Sequence, residues 1–165
     1  MRIITNRFIP FGDFNAMNTL GLVFTREEEK NITPRVKRHE GTHTYQQYEL
    51  LMIAAIVSLV LCNMFASWWY LLFLPIIPFA IYVMAFLLEI AIPPYHNAQL
   101  LWNDKTIPLW KRIGKWLTKV WIDAYADNCF EREAYMNDND PLYNSVRHFC
   151  AWLWYILPHN MRKGK

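Results

Sequence analysis

Three residues near the start of the chain have the types and the spacing to bind a metal ion and support hydrolysis. The stretch "RVKRHEGTHTYQQYELL" contains His39, Glu40 and His43 in the order H-E-x-x-H. On a helix the two histidines lie one turn apart on one face, as two ligands of a tetrahedral zinc ion require. Glu40 lies beside them, where its carboxylate can accept a proton from water. The pattern predicts a Zn²⁺ site with Glu40 as general base, against the alternative of surface residues on an ordinary helix.

A third ligand is expected on a later helix that carries "CFEREAY", residues 129–135. Apolar residues recur before it at steps of three and four: Leu117, Trp121 and Ala124. Continuing these steps puts Glu131 on the inward face and points Glu133 roughly the other way, where it would be solvated or would support a ligand without binding the metal. Because a buried carboxylate is costly unless it is paired or metal-bound, Glu131 is the predicted ligand.

Other roles for these residues stay open at the level of sequence. Glu133 and His148 are alternative third ligands, and the isolated His96 and His159 are further candidates. Glu131 could instead form a salt bridge with one of three basic residues of the motif helix: Arg35, Lys37 and Arg38. Gln46 and Gln47 continue the face of the motif and could orient ligands or bind backbone.

The elements that must position this site include a long apolar region. No charged residue occurs between Leu50 and Leu88, which is too long for one membrane span of about 20 residues and suits two. A motif helix over residues 34–64, capped by Thr33, is predicted to continue into the first span. The second span is predicted over residues 69–92, after an aromatic stretch that is typical of a membrane interface. The lipid bilayer is therefore an expected partner.

The remainder of the chain is expected to form shorter elements of the same single domain, residues 1–165. Residues 1–33 predict a β/loop segment with a short hairpin formed by "RIITNRFIP" and "NTLGLVFT", which are separated by the turn-like cluster "FGDFN". Residues 106–137 predict an amphipathic helix, and residues 140–157 an aromatic-rich C-terminal helix. The expected fold class is mainly α, an integral membrane protein with a two-helix transmembrane hairpin.

Charge and cysteine content restrict the compartment and the partners. All 17 Lys and Arg lie in residues 1–38 or 105–165, and the net charge is only +3. With two spans, this distribution predicts that both termini are cytoplasmic, and it does not favour a nucleic-acid partner. The N-terminal sequence lacks the apolar region of a signal peptide, and three scattered cysteines indicate no disulfide framework.

The motif "HEGTH", followed downstream by Glu131-x-x-Ala134, resembles the gluzincin class of zinc metallopeptidases, in particular its membrane-bound members. The resemblance implies a minimal zincin-like core with His39, His43 and Glu131 as metal ligands and Glu40 as general base. It also implies that the strand in "NTLGLVFT" runs beside the motif helix. The pair "HEGTHTYQQYELL" and "FEREAY" is similar to a group of small bacterial membrane proteins of uncharacterised activity. This resemblance implies a location in a bacterial inner membrane.

The sequence departs from the gluzincin pattern at three positions. Lys37 is charged where such helices usually are not, and Gly41 costs up to about 1 kcal/mol relative to Ala in a helix. Tyr135 replaces an Asp that would orient a ligand histidine. Asp127 could take over that role, and Tyr135 or His148 could stabilise a developing oxyanion.

These observations predict a membrane-embedded zinc-dependent peptidase that acts on membrane-proximal or membrane-tethered peptides. The alternatives are a non-catalytic metal-binding protein or an assembly component whose aromatic helices bind a second copy or another membrane protein. A structural hairpin protein without metal is a further alternative.

Overall fold

A 32-residue helix, α1 (Pro34–Phe65), runs through both the motif and the first apolar stretch. The computed structural model describes residues 1–6, 8–10, 16–91 and 108–156. The hydroxyl of Thr33 accepts a hydrogen bond from the amide of Val36 at 3.3 Å, so the helix begins at Pro34 as predicted. It ends at Ala66, which adopts a left-handed conformation with φ 48°. At 1.5 Å per residue α1 is about 48 Å long, more than a bilayer core of about 30 Å.

The second long helix, α2 (Phe73–Ala91), packs against α1 after a 3₁₀ turn over Trp68–Leu72. By length and composition, α1 and the stretch Trp68–Ile90 are each apolar enough to cross a membrane. The predicted pair of long apolar helices is therefore confirmed. The predicted end of the second span at Ile92 lies outside the described residues.

A three-stranded sheet precedes α1, with strands β1 (Arg2–Thr5), β2 (Ala16–Thr19) and β3 (Leu22–Thr25) in the order β1-β3-β2. The hairpin joins β2 to β3, and β1 pairs with β3 in parallel. The predicted hairpin between the two longer stretches is therefore wrong. The turn lies within "NTLGLVFT", at Leu20 and Gly21, whose positive φ values of 51° and 83° suit a two-residue hairpin turn.

The hairpin is fixed to the polar half of α1. The side-chain amide of Asn18 donates to the carbonyl of Glu40 at 2.5 Å and to the hydroxyl of Thr44 at 2.9 Å. Gln47 accepts from the amide of Leu20 at 2.5 Å and donates to the carbonyl of Asn18 at 3.0 Å. Strand β2 therefore runs beside the motif helix, as the resemblance implied.

The predicted helix over residues 106–137 is two helices, α3 (Leu109–Asp127) and α4 (Cys129–Asn137). Asn128 separates them with ψ 137°, and its side chain accepts a hydrogen bond from the amide of Phe130 at 3.0 Å. An asparagine side chain that caps a new helix competes with continuation of the preceding one, which explains the break. Residues 106 and 107 lie outside the described part.

The predicted C-terminal helix over residues 140–157 is wrong in its extent. The chain forms a short helix α5 (Tyr143–Val146) and a 3₁₀ turn over Ala151–Tyr155. Between them Arg147 is extended and Cys150 has φ 54°. The amide of Cys150 donates to the carboxylate of Glu49 at 2.8 Å, a bond that a continuous helix could not make. Residue 157 lies outside the described residues.

The apolar core lies where α1, α2, α4 and the last 3₁₀ turn meet. Its buried members are Leu50, Cys129, Phe130 and Trp152. The rings of Phe130 and Trp152 are 4.8 Å apart, and Tyr82 of α2 stacks on Phe130 at 5.7 Å. This core holds α4 against α1 next to the motif.

A buried ion-pair network lies beside that core. Arg147, whose side chain is 3% exposed, binds the carboxylates of Glu49 and Glu133. Its guanidinium is 3.0 Å from Glu49 Oε2 and 3.1 Å from Glu133 Oε2. The hydroxyl of Tyr143 also donates to Glu133, at 2.8 Å. One cation thus ties α1, α4 and the segment after α5 together.

We expect Arg147→Met to lower the free energy of unfolding by about 3–5 kcal/mol, because it leaves two buried carboxylates without their cation. Denaturant unfolding of the purified protein measures the change. Lys30→Met is the control, because Lys30 and Glu28 form an exposed pair, with side chains 76% and 65% exposed, of the kind that contributes about 0–1 kcal/mol. Equal losses in the two variants would contradict the role given to Arg147.

Candidate metal centre

Two helices bring His39, His43 and Glu131 together. The histidines project from α1, and Glu131 comes from the first turn of α4, which the core holds against α1. The two Nε2 atoms are 3.1 Å apart. Oε2 of Glu131 lies 3.4 Å from Nε2 of His39, and Oε1 of Glu131 lies 3.4 Å from Nε2 of His43. One ligand atom from each residue lies within 4.8 Å of the others, so the group could hold a metal ion.

The separations within this group match the dimensions of a tetrahedral site. In a tetrahedron with metal–ligand bonds of about 2.0–2.1 Å, the ligand atoms lie about 3.3–3.4 Å from one another. The distance of 3.1 Å between the two Nε2 atoms is close to these values, and each Nε2 atom lies 3.4 Å from a different carboxylate oxygen of Glu131. Two imidazoles and one carboxylate are also a donor set that suits zinc. The three residues therefore could hold such an ion, with one ligand atom from each lying within 4.8 Å of the others.

The electrostatics of the group couple Glu131 to the histidines. Burial raises the pKa of Glu131, but hydrogen bonds from His39 and His43 and the charge of His43 outweigh it and hold the pKa well below its usual range. Burial lowers the pKa of His43, yet the hydrogen bond and charge of Glu131 and the charge of Glu40 raise it to about 9. Without a metal ion the carboxylate is ionised and His43 retains a proton, which an incoming metal ion must displace.

Glu40 is buried beside the three ligands. Its pKa is raised by burial and by the charge of Glu131, against the opposing influence of His43 and His39. The backbone carbonyl of Glu40 accepts from Asn18 of β2, which fixes this turn of α1. A carboxylate with a raised pKa next to a candidate metal site has the character expected of a general base.

Further side chains hold the ligands in place. Gln46 Oε1 lies 2.7 Å from Nδ1 of His43. Gln46 therefore contacts the candidate ligand that it was expected to orient. Tyr125 of α3 donates a hydrogen bond to Glu131. Sequence reasoning missed Tyr125, because it lies on the far side of the break at Asn128, where helical spacing no longer relates it to Glu131.

The other predicted site residues lie at different distances from the centre. The ring of Tyr135 lies 4.5 Å from that of His39 and is half exposed. His148 is exposed, and its backbone carbonyl accepts from Ala151. Asp127 lies 4.0 Å from Arg132 and is partly exposed. Thus Tyr135 borders the histidines, whereas Asp127 contacts Arg132. His96 and His159 lie outside the described residues.

Of the two expectations for Glu133, exposure to solvent is wrong, whereas support of a ligand agrees with its hydrogen bond from Gln46. Glu133 is fully buried and accepts hydrogen bonds from Arg147, Tyr143 and Gln46. The error follows from the break at Asn128, which ends the periodicity on which the assignment depended. The basic residues offered as partners of Glu131 lie elsewhere: Arg35 and Arg38 bind Asp138, and Lys37 pairs with Glu29.

Two of the departures from the gluzincin pattern have structural explanations. Lys37 lies 3.5 Å from the exposed Glu29, so its charge is directed away from the ligands. A Cβ on Gly41 would lie 2.8 Å from the side-chain nitrogen of Asn144, which itself donates to the carbonyl of Arg38 at 3.0 Å. The glycine therefore permits the segment around α5 to approach the motif helix.

Comparison with protein-family models, with curated proteins and with solved structures gives no significant match.

Proposed function

We propose that this chain is a membrane-embedded, zinc-dependent metallopeptidase that hydrolyses membrane-proximal peptides at the cytoplasmic face of a bacterial inner membrane. The observation that carries the proposal is the convergence of His39, His43 and Glu131, which bring one ligand atom each within 4.8 Å of one another and form a donor set that suits zinc. Three protein ligands are also the number that catalytic zinc sites use, with the fourth position left for water or substrate.

Each residue of the site has a chemical role in this proposal. Zinc held by the three ligands would polarise a peptide carbonyl and make a water molecule more acidic. Glu40 would accept the proton of the attacking water and deliver it to the leaving amine. Tyr135, beside His39, is the candidate donor to the developing oxyanion, with His148 as the more exposed alternative.

The proposed membrane location rests on where apolar surface is exposed. None of the most apolar 18-residue window of the stretch Trp68–Ile90 is buried, and only 22% of that in α1 is buried, so these helices are unlike the core helices of a soluble protein. Insertion in a bilayer would cover these side chains. The positions of Lys and Arg then favour a cytoplasmic location for both termini of the chain.

The position of the site along α1 supports the choice of substrate. His43 precedes Leu50, the first residue of the uncharged stretch, by seven residues. At 1.5 Å per residue this separation is about 10 Å along the helix axis. A site this close to the headgroups favours peptides that are tethered to the membrane or emerge from it.

A second candidate function is metal binding without catalysis. It is favoured by Tyr135, which stands where the resemblance expects an Asp, and by Nδ1 of His39, which is buried and has no hydrogen-bond partner among the described residues. Ligand histidines normally donate this proton to a neighbouring group. A protein of this kind would bind zinc as the proposed enzyme does and would cleave no peptide.

Replacing Glu40 with Gln separates these two functions. We expect Glu40→Gln to retain zinc and to reduce hydrolysis of membrane-anchored peptides by about 10²–10⁴-fold, because the general base is lost while the ligands remain. Peptide cleavage in proteoliposomes and zinc content are measured on the same samples. Wild-type protein that binds zinc but cleaves no membrane-anchored peptide would favour the non-catalytic alternative.

The proposed orientation can be tested with single cysteines. Ala66→Cys, in the turn between the two apolar helices, should react with a membrane-impermeant maleimide added to intact cells. Lys30→Cys, before the motif helix, should react only after the inner membrane is opened. The wild-type chain gives the background from its own cysteines. The reverse pattern, or equal labelling from outside, would contradict the orientation.

A further inference from the structure

The orientation of the Gln46 side chain is determined by its surroundings. Its amide nitrogen lies 3.0 Å from the carbonyl oxygen of Phe130 and 2.9 Å from Oε2 of Glu133. Both neighbours are hydrogen-bond acceptors, so the NH₂ group must face them. The amide oxygen consequently faces His43, 2.7 Å from Nδ1. Gln46 is 2% exposed, which makes the reversed orientation costly.

This orientation determines which nitrogen of His43 is available to a metal ion. An amide oxygen is only an acceptor, so Nδ1 of His43 must carry hydrogen and donate it. Nε2 then presents a lone pair when the ring is neutral. This is the atom that lies 3.1 Å from Nε2 of His39 and 3.4 Å from Glu131. The hydrogen bond thus selects the tautomer that the proposed site needs.

Glu133 is itself held by groups that do not touch the site. Arg147 and the hydroxyl of Tyr143 bind Oε1 of Glu133, and Arg147 also lies 3.1 Å from Oε2. The carboxylate therefore cannot turn away from Gln46 without breaking a buried ion pair. The connection runs from Arg147 through Glu133 and Gln46 to His43.

We propose that Gln46 and Glu133 are positioning residues of the metal centre, which hold His43 with its Nε2 lone pair directed at the ion. The inference rests on the proposed metal-binding function and extends it. The two candidate ligands differ in this respect, because Nδ1 of His39 lacks a partner among the described residues whereas that of His43 has one. His43 is consequently the pre-oriented ligand of the pair.

The test compares two neighbouring glutamines that make similar contacts. Gln46→Met removes the acceptor of His43 and should weaken Zn²⁺ binding about 10- to 100-fold, the usual effect of losing a group that orients a ligand. Gln47→Met removes hydrogen bonds to Asn18 and Leu20 of the β2–β3 hairpin and should leave the affinity unchanged. Zn²⁺ titrations against a competing chelator measure these constants.

A spectroscopic measurement separates orientation from general loss of structure. The measurement uses long-range ¹H–¹⁵N spectra of zinc-loaded protein with ¹⁵N-labelled histidine. In these spectra His43 should carry its hydrogen on Nδ1. This hydrogen should be protected from exchange with water in the wild type and should exchange readily in Gln46→Met. Unchanged affinity and exchange in Gln46→Met, or an equal loss in Gln47→Met, would overturn the inference while zinc binding by the wild type stands. No zinc in the wild type would overturn both this inference and the proposed function.

Discussion

Four buried glutamates lie between α1 and the segments that cover its polar half, and the groups that balance their charges determine how this end of the protein is arranged. They are Glu40, Glu49, Glu131 and Glu133. Burying an ionised carboxylate without a partner is prohibitively costly. Arg147 compensates Glu49 and Glu133, and this pairing draws the segment after α5 across α1. The carboxylates of Glu131 and Glu40 have the two histidines as neighbours. A divalent cation bound there would supply the remaining positive charge.

The two halves of this carboxylate cluster are connected. Gln46 contacts Glu133 on one side and His43 on the other, so the ion-pair network supports one ligand of the candidate centre. Asn18 of the hairpin fixes the same helix from its other side through the carbonyl of Glu40 and the hydroxyl of Thr44. One stretch of α1, just before its apolar part, is therefore contacted by the small sheet, by α4 and by the C-terminal segment.

The parts of the site that depend on local helical spacing could be predicted from the sequence. His39 and His43 share a face because they are four residues apart, and Thr33 with Pro34 marks the start of their helix. The placement of Glu131 beside them was also predicted, although the periodicity that suggested it is interrupted at Asn128. That break is produced by the Asn128 side-chain cap, and it explains why helical spacing left Glu133 open between solvent and a supporting role.

The features that could not be predicted depend on contacts between distant residues. The bonds from Glu49 to Arg147 and Cys150 join residues about 100 positions apart and replace a C-terminal helix that the aromatic pattern favoured. The hairpin turn at Gly21 was missed because "FGDFN" offered the stronger turn composition. In each case a specific hydrogen bond or dihedral angle outweighed a local preference.

The central claim is that His39, His43 and Glu131 hold one zinc ion, and zinc content per chain in purified protein tests it most directly. The account predicts about one zinc per chain in the wild type, a loss in His39→Ala and Glu131→Gln, and full retention in Glu29→Gln, which makes the same chemical change at an exposed glutamate. Absence of zinc from the wild type after reconstitution, or equal zinc in all four proteins, would contradict the account.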